Sequence, residues 1–467
     1  MTRSPVFLPI RALGDLIRSR QVSPVELAKA FLDRLESRGP AYNAVVTLTR
    51  DLALEQARAA EQDILAGRHR GPLHGIPYGA KDLLATAGGI PTTWGAAPFR
   101  ERRFDFDATV IRRLREAGAV LLAKLAMVEL AGGMGYRQPD ASFTGPGVNP
   151  WDTTRWSGGS SSGSASAVCA GLVPFAIGSE TWGSILGPAN HCGLAGLRPT
   201  FGRVSRHGAM VLSWSLDKIG PICLTPDDCG LVLEAMAGPD AADPSTTDRL
   251  FRYEPNPPEK RFRLGVIRGV AEGAEAATRA NFEMALQALE QVAAIQEVQL
   301  PALPYEEIAR TILFAELGSA FEDLIESGQI ADLTAPEDRV TPYSRVAVLA
   351  KDYIRALRLR GIVAREIDGV MRGFDALLGP SRPAPSTRLG EEFPSAIRGA
   401  GKDILGAIGN AAGLPAISVP DGFTQDGVPT GLQFMGRAYD ENAIIAAARA
   451  YQTLTDWHLR RPPGTLP

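Results

Sequence analysis

Hydrophobic residues recur at helical spacing near the start of the chain. From Ile10 to about Arg38 the pattern predicts two helices. The second opens at Ser23–Pro24, a capping serine followed by proline at the first helical position. Val25, Leu27, Ala28, Phe31, Leu32 and Leu35 then return on one face. Leu52–Ala66 reads as an alanine-rich helix. Gly71–Leu83 is punctuated by three glycines and two prolines and ends as a short apolar strand bearing Lys81. A helix is expected over Asp107–Ala117 and a strand over Ala119–Ala123. This alternation points to α/β layering around a sheet.

Further on, residues 145–165 are rich in Gly, Ser, Asn and Pro, and 171–178 form a buried strand pattern. Residues 237–262, rich in Pro, Asp and Ser, read as a surface excursion. A strand at Leu264–Ile267 and a helix over 273–292 follow. Helical periodicity then dominates 303–372. Strands are expected at Asp375–Leu378, Ala416–Val419 and Thr430–Met435, and a closing helix at Ala443–Thr455.

Length and charge narrow the picture. At 467 residues the chain exceeds the usual reach of one core, although large α/β enzymes often remain one elaborated domain. Apolar residues make up 45% and charged residues 22%, with a net charge of −3, so nothing attracts nucleic acid in bulk. The basic run Arg355–Arg360 reads as a helix with one wet face. No apolar stretch is long enough to span a membrane, and the N-terminus lacks the features of a signal peptide. The expected location is cytoplasmic. Four cysteines without a C-x-x-C pair read as reduced thiols, and five scattered histidines show no metal spacing. No cofactor or metal is expected.

The candidate chemistry lies between Ser157 and Pro188, S-G-G-S-S-S-G-S-A-S-A-V-C-A-G-L-V-P-F-A-I-G-S-E-T-W-G-S-I-L-G-P. A Ser/Gly run is often a flexible linker. Here a buried helix-strand pattern and a second Gly-Ser turn follow it directly. That favours a compact wall of backbone amides that a substrate can approach closely.

These residues resemble the amidase signature family. The family shows a G-G-S-S-G-G-S run, an alanine-rich helix, then G-x-D-T-G-G-S-I-R-x-P, with G-I-P-x-x-x-K-D upstream. The upstream element here is Gly75–Asp82, and Ser184 follows Ser160 by 24 residues, as the pattern requires. Gly89–Thr93, Asp107–Val110, Gly196–Ser205, Ser215–Pro221 and Ala411–Met435 match as well. The resemblance covers residues 10–240 and 374–455; 240–373 match weakly.

The resemblance implies that Ser184 attacks the carbonyl carbon. Ser160, preceded by a cis peptide from Gly159, passes the proton, and Lys81 receives it. The N–H groups of Thr181, Trp182, Gly183 and Ser184 line the oxyanion hole, and Met134 lies on the substrate side of the nucleophile. The chemistry is coherent. A serine hydroxyl needs a neighbour to accept its proton, and a lysine can do so only when neutral. Burial among Ile76, Ala80 and Leu83 would favour that form. Each amide aimed at the oxyanion is typically worth about 3–4 kcal/mol.

Four positions depart from the pattern: Ser162, Glu180, Trp182 and Leu186. The Trp182 indole either packs in the core or walls the acyl pocket. Leu186 removes a positive charge close to the nucleophile, which favours apolar or aryl amides, anilides or carbamates over small charged substrates.

The expected architecture is a single α/β/α domain with a mixed, twisted central sheet. The sheet would come from 10–240 and 374–455, and the variable helical region 240–373 would cap its substrate side. The expected function is hydrolysis of an amide, anilide or carbamate, with esters also open, through an acyl-enzyme on Ser184. The partner is a small-molecule substrate, and a homodimer is left open. Two alternatives stand beside this reading. One is the glutamine-hydrolysing A subunit of a tRNA-dependent amidotransferase. The other is a non-catalytic scaffold relative, which the intact Lys81, Ser160 and Ser184 argue against.

Overall fold

Short strands buried on both faces form the centre of the protein, because helices cover both sides of the sheet. The computed structural model describes residues 5–345, 347–394 and 403–465. Its strands are β1 (Val45–Leu48), β2 (Pro77–Lys81), β3 (Val120–Leu125), β4 (Val148–Asn149), β5 (Asp152–Trp156), β6 (Phe175–Glu180), β7 (Ala195–Arg198), β8 (Lys218–Cys223), β9 (Phe262–Ile267), β10 (Ala293–Val298), β11 (Ala376–Pro380), β12 (Ala416–Phe423) and β13 (Pro429–Met435). Among the described residues eleven of them form one sheet, in the order β1-β3-β2-β6-β8-β7-β12-β13-β11-β9-β10, while β4 and β5 pair separately. Every residue of β2, β3, β7, β8 and β13 is buried.

The sheet is mixed, as expected for an α/β fold. β2 runs parallel to both β3 and β6, and β9 runs parallel to both β10 and β11. The pairs β6–β8, β7–β8, β7–β12, β12–β13 and β11–β13 are antiparallel. The parallel arrangement of β2 and β6 brings their carboxyl ends to the same rim. That rim is where open α/β sheets bind ligands.

The helix at Ser23–Pro24 forms as the sequence predicts. Ser23 Oγ accepts from Glu26 N, and Glu26 Oε2 accepts from Ser23 N, closing a capping box ahead of Pro24–Arg38. This helix packs against Arg50–Leu65 on one side of the sheet. A second core forms where Tyr305–Ala320, Ala350–Met371 and Ile404–Ala411 meet. It is filled by Ile308, Ile312, Val363, Ile367 and Ile408.

One expectation needs correcting. The region 240–373 is not only a helical cap: β9 and β10 extend the central sheet at one edge. β9 was readable as a strand, but β10 falls in the stretch after the expected 273–292 helix, to which the pattern assigned no element. The helix ends at Leu289, and in Ala293–Val298 only the two end residues are buried while the four between are exposed or half-buried, an edge strand with no alternation to mark it. β7 and β8 were visible only as motif matches. β1 is four residues long and half-buried throughout.

Candidate active site

Lys81 is the last residue of β2 and is fully buried. Behind it Asp82 and Lys124 form a buried ion pair of 3.0 Å. Asp82 Oδ2 also accepts from Thr93 N at 3.0 Å and from Thr93 Oγ1 at 2.5 Å. These contacts fix the end of the strand, so the Lys81 ammonium has little freedom.

Lys81 Nζ lies 2.7 Å from Ser160 Oγ and 2.9 Å from Ser179 Oγ. The run of three serines sorts itself by geometry. Ser161 Oγ donates to Ser179 O, and Ser162 Oγ donates to Ala126 O. Of the three, Ser160 alone is bonded to Lys81. The Gly159–Ser160 peptide is cis. Helix Ser162–Cys169 begins directly afterwards and is held close to the neighbouring chain by Gly163, where a side chain would meet Ala44 O at 2.4 Å and Ala126 N at 2.5 Å.

Burial pushes Lys81 down to about 7, and the negative charges of Asp217 and Glu180 oppose that shift. Ser179, Glu180 and Asp217 were not singled out as partners of Lys81 from the sequence. Ser179 could have been found from register alone: β2 and β6 pair in parallel at Gly79–Ala176 and Ala80–Ile177, which carries Ser179 up beside Lys81.

Ser184 sits in the turn between β6 and helix Leu186–Cys192 and is largely buried. Glu180 braces this turn. Its Oε2 accepts from Ile185 N at 2.9 Å and from Leu186 N at 3.1 Å, and its Oε1 pairs with Arg198 at 2.8 Å. Burial works against the charge of Glu180, but Arg198 and Lys218 hold it down at about 2. The longer glutamate side chain, a departure from the family pattern, therefore spans the turn. Thr181 is held from the other side by Asp217, Oγ1 to Oδ1 at 2.5 Å. Among the described residues none accepts from the N–H groups of Thr181, Trp182, Gly183 or Ser184. Four consecutive amides thus have no acceptor among the described residues, the arrangement that an oxyanion hole requires.

Trp182 packs against the edge of the second core. It is partly buried, donates through Nε1 to Asp403 Oδ2 at 2.9 Å, and lies under the Arg310 guanidinium at 5.2 Å. Leu186 turns away into the second core with Leu216 and Ile408. Met134 is fully buried in the main core cluster, at the end of a tight segment in which Leu130 and Ala131 adopt positive φ.

Arg382 bears on the absence of a positive charge at Leu186. A methyl group on Gly183 would lie 2.7 Å from Arg382 Nη1, and one on Gly187 would lie 3.3 Å from its Nε. The positive charge absent from position 186 is therefore supplied by a different element, just after β11. It packs over two glycines that leave room for it and stands 3.5 Å from Asp403. Sequence spacing could not show this, because Arg382 is remote in the chain. Burial, aided by the nearby Arg382, pushes His191 down to about 3, so this histidine is neutral at pH 7.

Among the described residues no group of three or more His, Cys, Asp or Glu side chains is placed to hold a metal ion. All four cysteines are buried free thiols. Among the described residues no helix is long and apolar enough to cross a membrane.

A buried lysine, a serine at hydrogen-bond distance and a glycine-serine turn with free amides define an amide-hydrolase type of centre on an α/β sheet. The family model described as Amidase matches residues 26–445, and the chain belongs to that family of hydrolases acting on carbon–nitrogen bonds. It is 37% identical to the A subunit of glutamyl-tRNA(Gln) amidotransferase from Moorella thermoacetica, over 98% of each chain. The native peptide amidase from Stenotrophomonas maltophilia superposes with a TM-score of 0.85 at 31% identity, covering 98% of this chain and 99% of that one. A protein from a vestigial complex that bears on the origins of an s-triazine catabolic enzyme superposes with a TM-score of 0.86 at 29% identity, covering 96% and 98%.

Proposed function

We propose that the chain hydrolyses an amide through an acyl-enzyme on Ser184. The observation that carries this reading is the fully buried Lys81 amine 2.7 Å from Ser160 Oγ, at the rim that also bears the Ser184 turn. In the first half-reaction Ser184 Oγ bonds to the carbonyl carbon. Its proton passes through Ser160 to neutral Lys81, and the amides of Thr181 to Ser184 take the oxyanion. The C–N bond then breaks as Lys81 returns the proton, through Ser160, to the leaving nitrogen. In the second half, water adds to the ester carbonyl, giving up a proton by the same route. The acid leaves and Ser184 is restored. Esters and carbamates present the same carbonyl geometry to these groups.

Two settings fit this chemistry. The near full-length identity to the A subunits of amidotransferases favours a glutamine-hydrolysing protein that works inside a complex. The structural likeness to a peptide amidase favours a free-standing enzyme for bulkier amides, with anilides and carbamates open to the same chemistry.

A serine-directed fluorophosphonate should label Ser184, mapped by peptide mass spectrometry. Ser184→Ala and Lys81→Ala should each lower kcat by about 10³-fold or more. Wild-type turnover in both variants would overturn the mechanism.

A further inference from the structure

A guanidinium carries five N–H donors and keeps its charge at any physiological pH, so one that is mostly covered is normally bonded on several sides. Arg382 is not. It lies two residues after β11, and its side chain is 23% exposed. Among the described residues it forms no hydrogen bond. Its one ion pair there, with Asp403, is 3.5 Å long, and its Nε is buried without a partner.

Asp403 is already engaged elsewhere. Its Oδ2 accepts from Trp182 Nε1 at 2.9 Å, and its Oδ1 accepts from Gly406 N at 2.9 Å, capping the helix Ile404–Ala411. The charge of Arg382 is also felt by His191 and Tyr136, but neither offsets it. His191 is neutral, and burial raises the Tyr136 phenol so that it keeps its proton. The positive charge of Arg382 is therefore only partly matched within the protein.

Two glycines of the nucleophile turn fix where that charge stands. A Cβ on Gly183, the residue before Ser184, would lie 2.7 Å from Nη1, and one on Gly187 would lie 3.3 Å from Nε. The guanidinium thus rests on the turn itself, beside the residue that would carry the acyl group. Its planar fork matches the two oxygens of a carboxylate. We propose that Arg382 binds a carboxylate of the substrate, so that the preferred substrates are short amides bearing a carboxylate close to the scissile bond. This assignment rests on the acyl-enzyme reading above and deepens it by naming a specificity-determining residue and the charge it selects. A carboxylate on the acyl half and one on the amine half present the same chemistry to the guanidinium, and separate arms of the test distinguish them.

The purified full chain is assayed on two matched pairs. Butyramide and succinamate differ by a methyl against a carboxylate on the acyl half, and N-ethylacetamide and N-acetylglycine differ likewise on the amine half. The expected result is a kcat/KM about tenfold or more higher for the carboxylate member of at least one pair, with the gain shrinking as salt is added. Arg382→Met should lose that ratio, mainly through KM, and Arg382→Lys should keep part of it. A ratio near one in both pairs of the wild type would overturn the proposal. So would an Arg382→Met that slows both members of a pair equally, the mark of a residue that only braces the turn. Calorimetry on Ser184→Ala separates binding from reaction. Binding of succinamate or N-acetylglycine to that variant, lost when Arg382→Met is added, would uphold the carboxylate site even if no member showed Ser184-dependent hydrolysis, a result that would overturn the acyl-enzyme alone. Neither hydrolysis nor binding would overturn both.

Discussion

A lysine acts as a base only after it loses its proton, and in water it holds that proton to about pH 10.4. In this protein burial moves Lys81 down to about 7. The sign is fixed by that direction: below pH 7 the amine is protonated and cannot accept from Ser160, and above it the neutral form dominates. The kcat/KM profile should therefore rise about tenfold per pH unit on the acid side and level off near pH 8. Stopped assays between pH 5 and 9 read this directly; a flat profile over that range would count against a lysine base titrating there. Lys81 and Ser184 stand out as candidates in the sequence because motif and chemistry agree on them. Ser160 was separable from Ser161 and Ser162 only by spacing, and the structure adds the distance to Lys81. Arg382 and Asp217 were not legible. Both reach the rim from elements far away in the chain, and single-sequence spacing carries no such information.

The segments around the rim carry a second titrating element. Glu129, in the tight turn Glu129–Gly132, accepts from the amides of Thr334 and Ala335 at 2.8 and 2.9 Å. Asp338, in the turn Pro336–Arg339, is buried beside it. Burial and the neighbouring Glu129, with Glu337 adding to them, push the Asp338 carboxyl well above the usual carboxylate range. The native state thus keeps a proton that the unfolded chain releases near pH 4. The native state binds more protons above that point, so stability falls as pH rises from about 4 toward the raised native value. Asp338→Asn keeps the shape and removes the titration. Its melting temperature should match wild type near pH 4.5 and exceed it by several degrees, on the order of 1–2 kcal/mol, near pH 8. Differential scanning fluorimetry at the two pH values checks this, and an equal shift at both would refute it. Helices were legible at this scale where caps and periodicity agree, as at Ser23–Pro24. Strands buried on both faces, such as β8, lose the alternation that marks a strand. β10 was hidden because its six residues follow a helix within four positions.

At the scale of the molecule the open question is whether the site works alone. The sheet places Lys81, Ser160 and the Ser184 turn on one rim, and under the proposed mechanism base, relay, nucleophile and amide donors would all come from the described residues. The helices Tyr305–Ala320 and Ala350–Met371 pack into a core of their own beside that rim, and the side chains Val340, Tyr343, Leu349 and Ile354 remain exposed near the start of the second. Exposed apolar residues in one region are what a partner protein would cover, whereas a site complete in itself needs no partner. The two possibilities separate by experiment. If the chain is a free-standing amidase, the isolated protein should hydrolyse acetanilide with kcat/KM at least about tenfold above that for glutamine, unchanged on dilution. If it is one component of an amidotransferase, glutamine should be the better substrate, and turnover should rise sharply when the other components are added. Assays across a hundredfold range of protein concentration, paired with native mass spectrometry of the same samples, distinguish these outcomes. Glutamine hydrolysis that depends on added partners would place the chain with its amidotransferase relatives.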